Sequence, residues 1–143
     1  AHMLNNKIPI IYSEDRYEPV AIRFRQQINE NSKMLCWHHA IPEMNHNELV
    51  GWRNHRPEWA VVLFRSSDNH PRNATRMDIN KEIISEYCDS VIQIQAKGDS
   101  LIERSFYLVH FGDWISWHLS QLQGRDAVEV KVIDYLKGEL AKQ

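Results

Sequence analysis

Two short stretches of this chain hold side chains that could move protons. In Gln26-Gln27-Ile28-Asn29-Glu30-Asn31 a single carboxylate stands among amides at what reads as the end of a helix. A carboxylate there faces the unfavourable end of the macrodipole, which makes holding a proton easier, so Glu30 has the character of a general base that also hands the proton back. A solvated helix end is the plainer alternative. The second stretch, Glu43-Met44-Asn45-His46-Asn47-Glu48-Leu49-Val50-Gly51-Trp52, sets His46 between two Asn residues. Those neighbours could fix the tautomer of the imidazole, or could simply cap turns ahead of a short helix at Glu48.

Other chemistries find less footing. Among eight His residues, His38, His39 and His46 lie close together, with His55, His70, Glu43, Glu48 and Asp68 as further possible ligands. They show no H-E-x-x-H or comparable spacing, so no metal is expected. The five Gly residues, at 51, 98, 112, 124 and 138, form neither G-x-G-x-x-G nor a P-loop, and no G-x-S-x-G elbow occurs. No cofactor is expected.

Seventeen Lys and Arg against 19 Asp and Glu leave a net charge of -2, without the basic field that holds nucleic acid or an anionic membrane. Cys36 and Cys88 are too few for a disulfide scaffold, which favours the cytoplasm. The longest apolar stretch, Ser105 to Leu122, carries His110, Asp113 and His118 and reads as a helix of a soluble protein rather than a membrane span. Ala1-His2-Met3 reads as an expression remnant, leaving one domain over residues 4–143.

The elements that must position these groups follow from periodicity and punctuation. A β-branched run predicts a strand at Ile8 to Tyr12, ended by Ser13-Glu14-Asp15, then a helix opening near Glu18 and Pro19 and running to Asn31. Met34 to Trp37 is a possible second strand, and a loop with a short helix covers Pro42 to Glu58. Trp59 to Phe64 is apolar without alternation, which suits a parallel strand covered on both faces. After a loop to Asn73, helical spacing runs from Ala74 to Tyr87, and Val91 to Gln95 is a fourth strand. Ser100-Leu101-Ile102-Glu103 has the form of a capping box opening a helix to about Gln123. Gly124 stops it, and Asp126 opens a last helix to about Leu140. This alternation predicts an α/β fold, a three-layer αβα sandwich with a parallel sheet. Functional groups in such folds are expected beyond the carboxyl ends of the strands.

At the two proton-moving stretches the sequence resembles the bifunctional phosphoglucose/phosphomannose isomerases of archaea and some bacteria, which are built from two sugar-isomerase (SIS) domains. The likeness runs in order through Ile8 to Tyr12, Ala21 to Lys33, Pro42 to Trp52, Val61 to Pro71, His110-Phe111-Gly112-Asp113-Trp114 and Val132 to Lys137.

The resemblance implies an SIS fold and a C-terminal domain of an aldose-ketose isomerase, interconverting glucose 6-phosphate or mannose 6-phosphate with fructose 6-phosphate through a cis-enediol(ate). By position, Glu30 matches the proton-shuttling glutamate, His46 the histidine of ring opening, donated across a dimer interface, and Lys137 a lysine near the ring oxygen. A homodimer is therefore implied. So is a partner N-terminal SIS domain that grips the sugar phosphate, without which this domain would be inactive. Where relatives carry Asp-Pro-Thr-Pro, this chain has Asp126-Ala127-Val128-Glu129, lacking a threonine associated with mannose stereochemistry. The nearly all-round apolar helix Phe106 to Leu119 suits a dimer or domain interface, or else a fully buried central position. Competing functions are a non-catalytic sugar-phosphate-binding SIS regulatory or interaction module, and a metal-dependent hydrolase built on the His cluster.

Overall fold

The computed structural model describes residues 1–143. Four parallel strands, β1 (Ile8–Glu14), β2 (Trp37–Ile41), β3 (Trp59–Arg65) and β4 (Val91–Gln95), stand in the order β2-β1-β3-β4. Helices α1 (Glu18–Ser32), α2 (Pro71–Ser85), α3 (Leu101–Leu122) and α4 (Lys131–Leu140) complete the chain. Because all strands are parallel, each connecting helix runs back from the carboxyl to the amino end of the sheet.

Two apolar cores, one on each face, make the three layers. Ile11, Val62 and Phe64 meet Ala21, Phe24 and Ile28 of α1 and Leu108 and Leu119 of α3. On the other face Tyr12, Val61 and Leu63 meet Met77 and Ile84 of α2 with Met44 and Trp52. Ala60 to Phe64 of β3 are all buried, as the absence of alternation requires. Gly112 marks the closest approach of α1 and α3: a Cβ there would lie 2.8 Å from the Phe24 ring. No helix is long and apolar enough to cross a membrane.

Several boundaries differ from those expected, each for a local reason. β1 continues through Ser13 and Glu14, both buried, because Glu14 finds partners inside the fold. β2 lies at Trp37–Ile41 rather than Met34 to Trp37. Lys33 takes a left-handed conformation (φ 57°) at the end of α1, so residues 34–36 are used to cross back to the sheet, where Trp37 pairs with Ile10.

α2 begins at Pro71, three residues before Ala74, with His70 as its cap: its Nδ1 accepts from the Arg72 N–H at 3.2 Å. The Ser100 and Glu103 capping box is formed in full. α4 starts at Lys131, because Asp126 and Glu129 turn onto the amides of Val128 and Lys131 instead of opening a helix. Residues 2–4 form a 3-10 turn, and Ala1 packs against the core.

α3 is not a buried central helix. Leu108, Gly112, Ser116 and Leu119 face inward, while Phe106, Phe111, Trp114 and Trp117 are exposed.

Candidate active site

Glu30 occupies the last turn of α1, at the amino end of the sheet. Two side chains hold that turn. The Asn29 amide donates to the Met34 carbonyl at 2.7 Å, and the Lys33 ammonium donates to the Glu30 carbonyl at 2.6 Å. The Glu30 carboxylate itself is exposed and receives no hydrogen bond. It borders a cavity of about 340 Å3, whose walls are Asn29, Glu30, Lys33, Met34 and Leu35 on one side and Glu129, Val130, Val132 and Ile133 on the other. Lys137 lies one turn beyond Ile133 on the same side of α4, exposed. No residue of α4 is buried, so the outer wall of this cavity is an amphipathic helix with its apolar side uncovered.

His46 is elsewhere. It ends a 3-10 turn, Glu43–His46, that follows the carboxyl end of β2, and it is exposed with no hydrogen-bond partner. Since α1 delivers Glu30 to the start of β2 and His46 lies past its end, the five residues of β2 stand between them. At about 3.3 Å per residue that strand alone is roughly 13 Å long. Glu30 and the α4 face bearing Lys137 therefore belong to one region, and His46 of the same chain does not join them.

The segment bearing His46 is held firmly on both sides. Met44 is buried, and Asn45 donates to Asn80 of α2 at 2.5 Å. Downstream, the Asn47 side chain accepts from the Glu48 amide at 2.6 Å. Glu48 takes hydrogen bonds from the Tyr12 hydroxyl and from His39 Nδ1, the latter at 2.7 Å, and Trp52 Nε1 donates to the Tyr12 oxygen at 3.2 Å. Burial first, and then the Glu48 charge, push the Tyr12 hydroxyl well above its usual range, so it remains a donor throughout the physiological span.

At the carboxyl end of the sheet, where ligands were expected, two carboxylates are engaged by the protein's own donors. Glu14 is 4% exposed and accepts from Asn69 Nδ2 at 2.6 Å, the His70 amide at 3.0 Å and Asn73 Nδ2 at 2.9 Å, so its carboxylate seats at the start of α2. Beside it, Asp68 accepts from Tyr17, from Ser66 and from Arg104, with Arg104 at 2.9 Å and Tyr17 at 2.7 Å. Burial alone would raise the Asp68 carboxyl, but the bonds from Ser66, Tyr17 and Arg104 reverse that and hold it well below the carboxylate range.

Sequence reasoning passed over Glu14, because a Glu closing a strand reads as the start of a loop. The available signal was the pair of Asn residues, 69 and 73, flanking His70-Pro71.

No three His, Cys, Asp or Glu side chains gather in a way that could hold a metal ion. His38 faces α1 and lies 3.7 Å from Glu18, His39 pairs with Glu48, and His55 pairs with Asp89 at 3.0 Å. Cys36 and Cys88 are free and buried, and burial pushes the Cys36 thiol up to about 12, far from a reactive thiolate.

A bifunctional phosphoglucose/phosphomannose isomerase of Aquifex aeolicus is 39% identical over 144 residues, covering 99% of this chain and 45% of that protein. One from Caldicellulosiruptor bescii is 38% identical over 141 residues, covering 96% and 42%. The chain thus spans less than half the length of these relatives. Among solved structures, a glucose-6-phosphate isomerase-like protein from Thermus thermophilus superposes with a TM-score of 0.69 at 19% identity, over 88% of this chain and 41% of that one. Residues 1–140 match the family described as the bacterial phospho-glucose isomerase C-terminal SIS domain, and the chain belongs to that family.

Proposed function

We propose that this SIS domain supplies the base and ring-opening groups of an aldose-ketose isomerase that interconverts glucose 6-phosphate or mannose 6-phosphate with fructose 6-phosphate. The observation that carries the reading is the cavity beside Glu30: an exposed carboxylate with no internal partner, facing a hexose-sized space whose far wall is α4.

In the open-chain aldose, Glu30 takes the proton from C2 as the C1 carbonyl oxygen becomes an enediol(ate) oxygen; the O2 hydroxyl proton then passes to O1, and the same carboxyl returns its proton to C1 as the C2 oxygen becomes the ketone. Carbon-bound proton transfer of this kind balances without a redox partner. Lys137, one helical turn beyond the cavity-lining Ile133, serves the ring oxygen.

His46 acts in the site of another copy of the chain. The separation of Glu30 and His46 by the length of β2 supports that role, since a histidine for ring opening cannot come from the same domain without rearranging the sheet. A homodimer follows, and the exposed apolar sides of α3 and α4 are the surfaces available to it and to an N-terminal SIS domain. That domain grips the phosphate. In this one the carboxyl-end crevice already holds Glu14 and Asp68, so the chain alone is inactive: remote phosphate binding positions the reacting carbons. Glu129, the last residue of the Asp126-Ala127-Val128-Glu129 departure, and Val130 line the same cavity. A cytoplasmic location fits this substrate and the two free thiols.

The test is a coupled assay with glucose 6-phosphate on the 143-residue chain and on the same chain joined to an N-terminal SIS domain. Turnover only in the joined protein, abolished by Glu30→Gln, is the expected result. Robust turnover by the chain alone would overturn the claim of an incomplete site. Unchanged turnover in Glu30→Gln would favour a non-catalytic sugar-phosphate-binding module.

A further inference from the structure

His46 makes no hydrogen bond of its own, so the place of its ring is set only by the backbone that carries it. That backbone is pinned upstream to α2, through buried Met44 and the Asn45 to Asn80 bond. Downstream, Asn47 bonds only within the segment, to Glu43 and the Glu48 amide, and the tie to the sheet runs through one carboxylate, Glu48, whose two donors come from different strands: Tyr12 from β1, second in the sheet with neighbours on both sides, and His39 from the edge strand β2. Tyr12 is fully buried, and its hydroxyl is also the acceptor for buried Trp52. It therefore ties together Glu48 and Trp52, four residues apart at the far end of the segment.

We propose that Tyr12 is a positioning residue for His46: its hydroxyl, through Glu48 and Trp52, locks residues 45–52 onto the sheet so that the imidazole projects in a single arrangement. This rests on the isomerase reading for its kinetic consequence, though not for the anchoring itself. A histidine that must enter a site on another copy cannot rearrange on arrival, and misplacement by about 1 Å costs roughly a hundredfold in rate.

Tyr12→Phe keeps the ring and removes the hydroxyl, and Glu48→Gln keeps the shape and removes the charge. In the 143-residue chain, the His46 ring signals in proton-carbon NMR spectra are expected as one sharp set in the parent and as broadened or doubled sets in both variants, with the β3 and α1 amide signals in place. In the full-length isomerase, Tyr12→Phe is expected to lower kcat about ten- to a hundredfold while KM for glucose 6-phosphate stays within about twofold. A single sharp His46 set in both folded variants would overturn the anchoring, whatever the kinetics. A loss confined to KM would overturn the positioning role. If His46→Asn leaves turnover untouched, the isomerase reading fails, and the NMR comparison still decides whether Tyr12 anchors the segment.

Discussion

The two ends of the sheet treat their carboxylates in opposite ways. At the carboxyl end, Glu14 and Asp68 are surrounded by donors and withdrawn from solvent, each bonded to three or more protein groups. At the amino end, Glu30 stands free beside a cavity. Parallel α/β sheets usually bind ligands outside the carboxyl ends of their strands. Here two carboxylates at that end are engaged by protein donors and stabilise the fold, while the unsatisfied one at the amino end is left available for chemistry. A carboxylate with every lone pair engaged is a poor proton shuttle, and one with none engaged contributes little to stability.

The sharpest way to break that contrast is to remove each carboxylate and read both activity and stability. Under the proposed function, Glu30→Gln in the chain joined to an N-terminal SIS domain is expected to lower kcat by about 10²- to 10⁴-fold. Its melting temperature should not move, and a fall in stability instead of rate would reverse the assignment. Glu14→Ala leaves three donors unpaired in a closed site and should cost about 3–5 kcal/mol in urea unfolding of the 143-residue chain. A cost under about 1 kcal/mol would mean that water replaces the carboxylate freely.

Acid titration separates the ends further. The folded Asp68 carboxyl lies below its unfolded value near 3.8, so its contribution to stability is complete above that value and is lost as pH falls beneath it. Stability of the parent should therefore fall more steeply below pH 4 than that of Asp68→Asn, as followed by circular dichroism. Parallel curves would show that Asp68 is not part of the closed network.

Two smaller effects test the layers that carry the ends. Gly112→Ala drives a methyl into the Phe24 ring and should destabilise by about 1–3 kcal/mol. Leu136→Ser, on a helix with no buried residue, should change stability of the isolated chain by less than about 0.5 kcal/mol. A larger loss would mean that α4 packs on the domain more firmly than its exposure indicates.

Much of the fold was legible because its signals are local. The β3 run Trp59 to Phe64, the Val91 to Gln95 strand and the Ser100 and Glu103 box each declare themselves within a few residues. β2 was not, since its His38-His39 pair has no strand character and its position is set by pairing with β1 across 27 residues of sequence (37 minus 10). The α4 boundary failed for a related reason: Asp126 and Glu129 look like helix openers until their side chains are seen closing turns of their own.

From the sequence alone came the αβα order, the proton-handling side-chain types at Glu30 and His46, and, through the family likeness, the pairing of these with Lys137. Those depend on residue identity and spacing along one chain. Only the tertiary structure decided that Glu30 opens onto a cavity shared with α4, that His46 lies at the opposite end of the sheet, that Glu14 and Asp68 are engaged by protein donors at the carboxyl end, and that Tyr12 reaches Glu48. Each of these turns on which end of a parallel sheet a helix returns to and which side chains meet across it. The Tyr12 to Glu48 and Asn73 to Glu14 bonds join residues 36 and 59 positions apart, and the cavity joins Glu30 to residues still farther along the chain, separations at which sequence pattern carries no record of proximity.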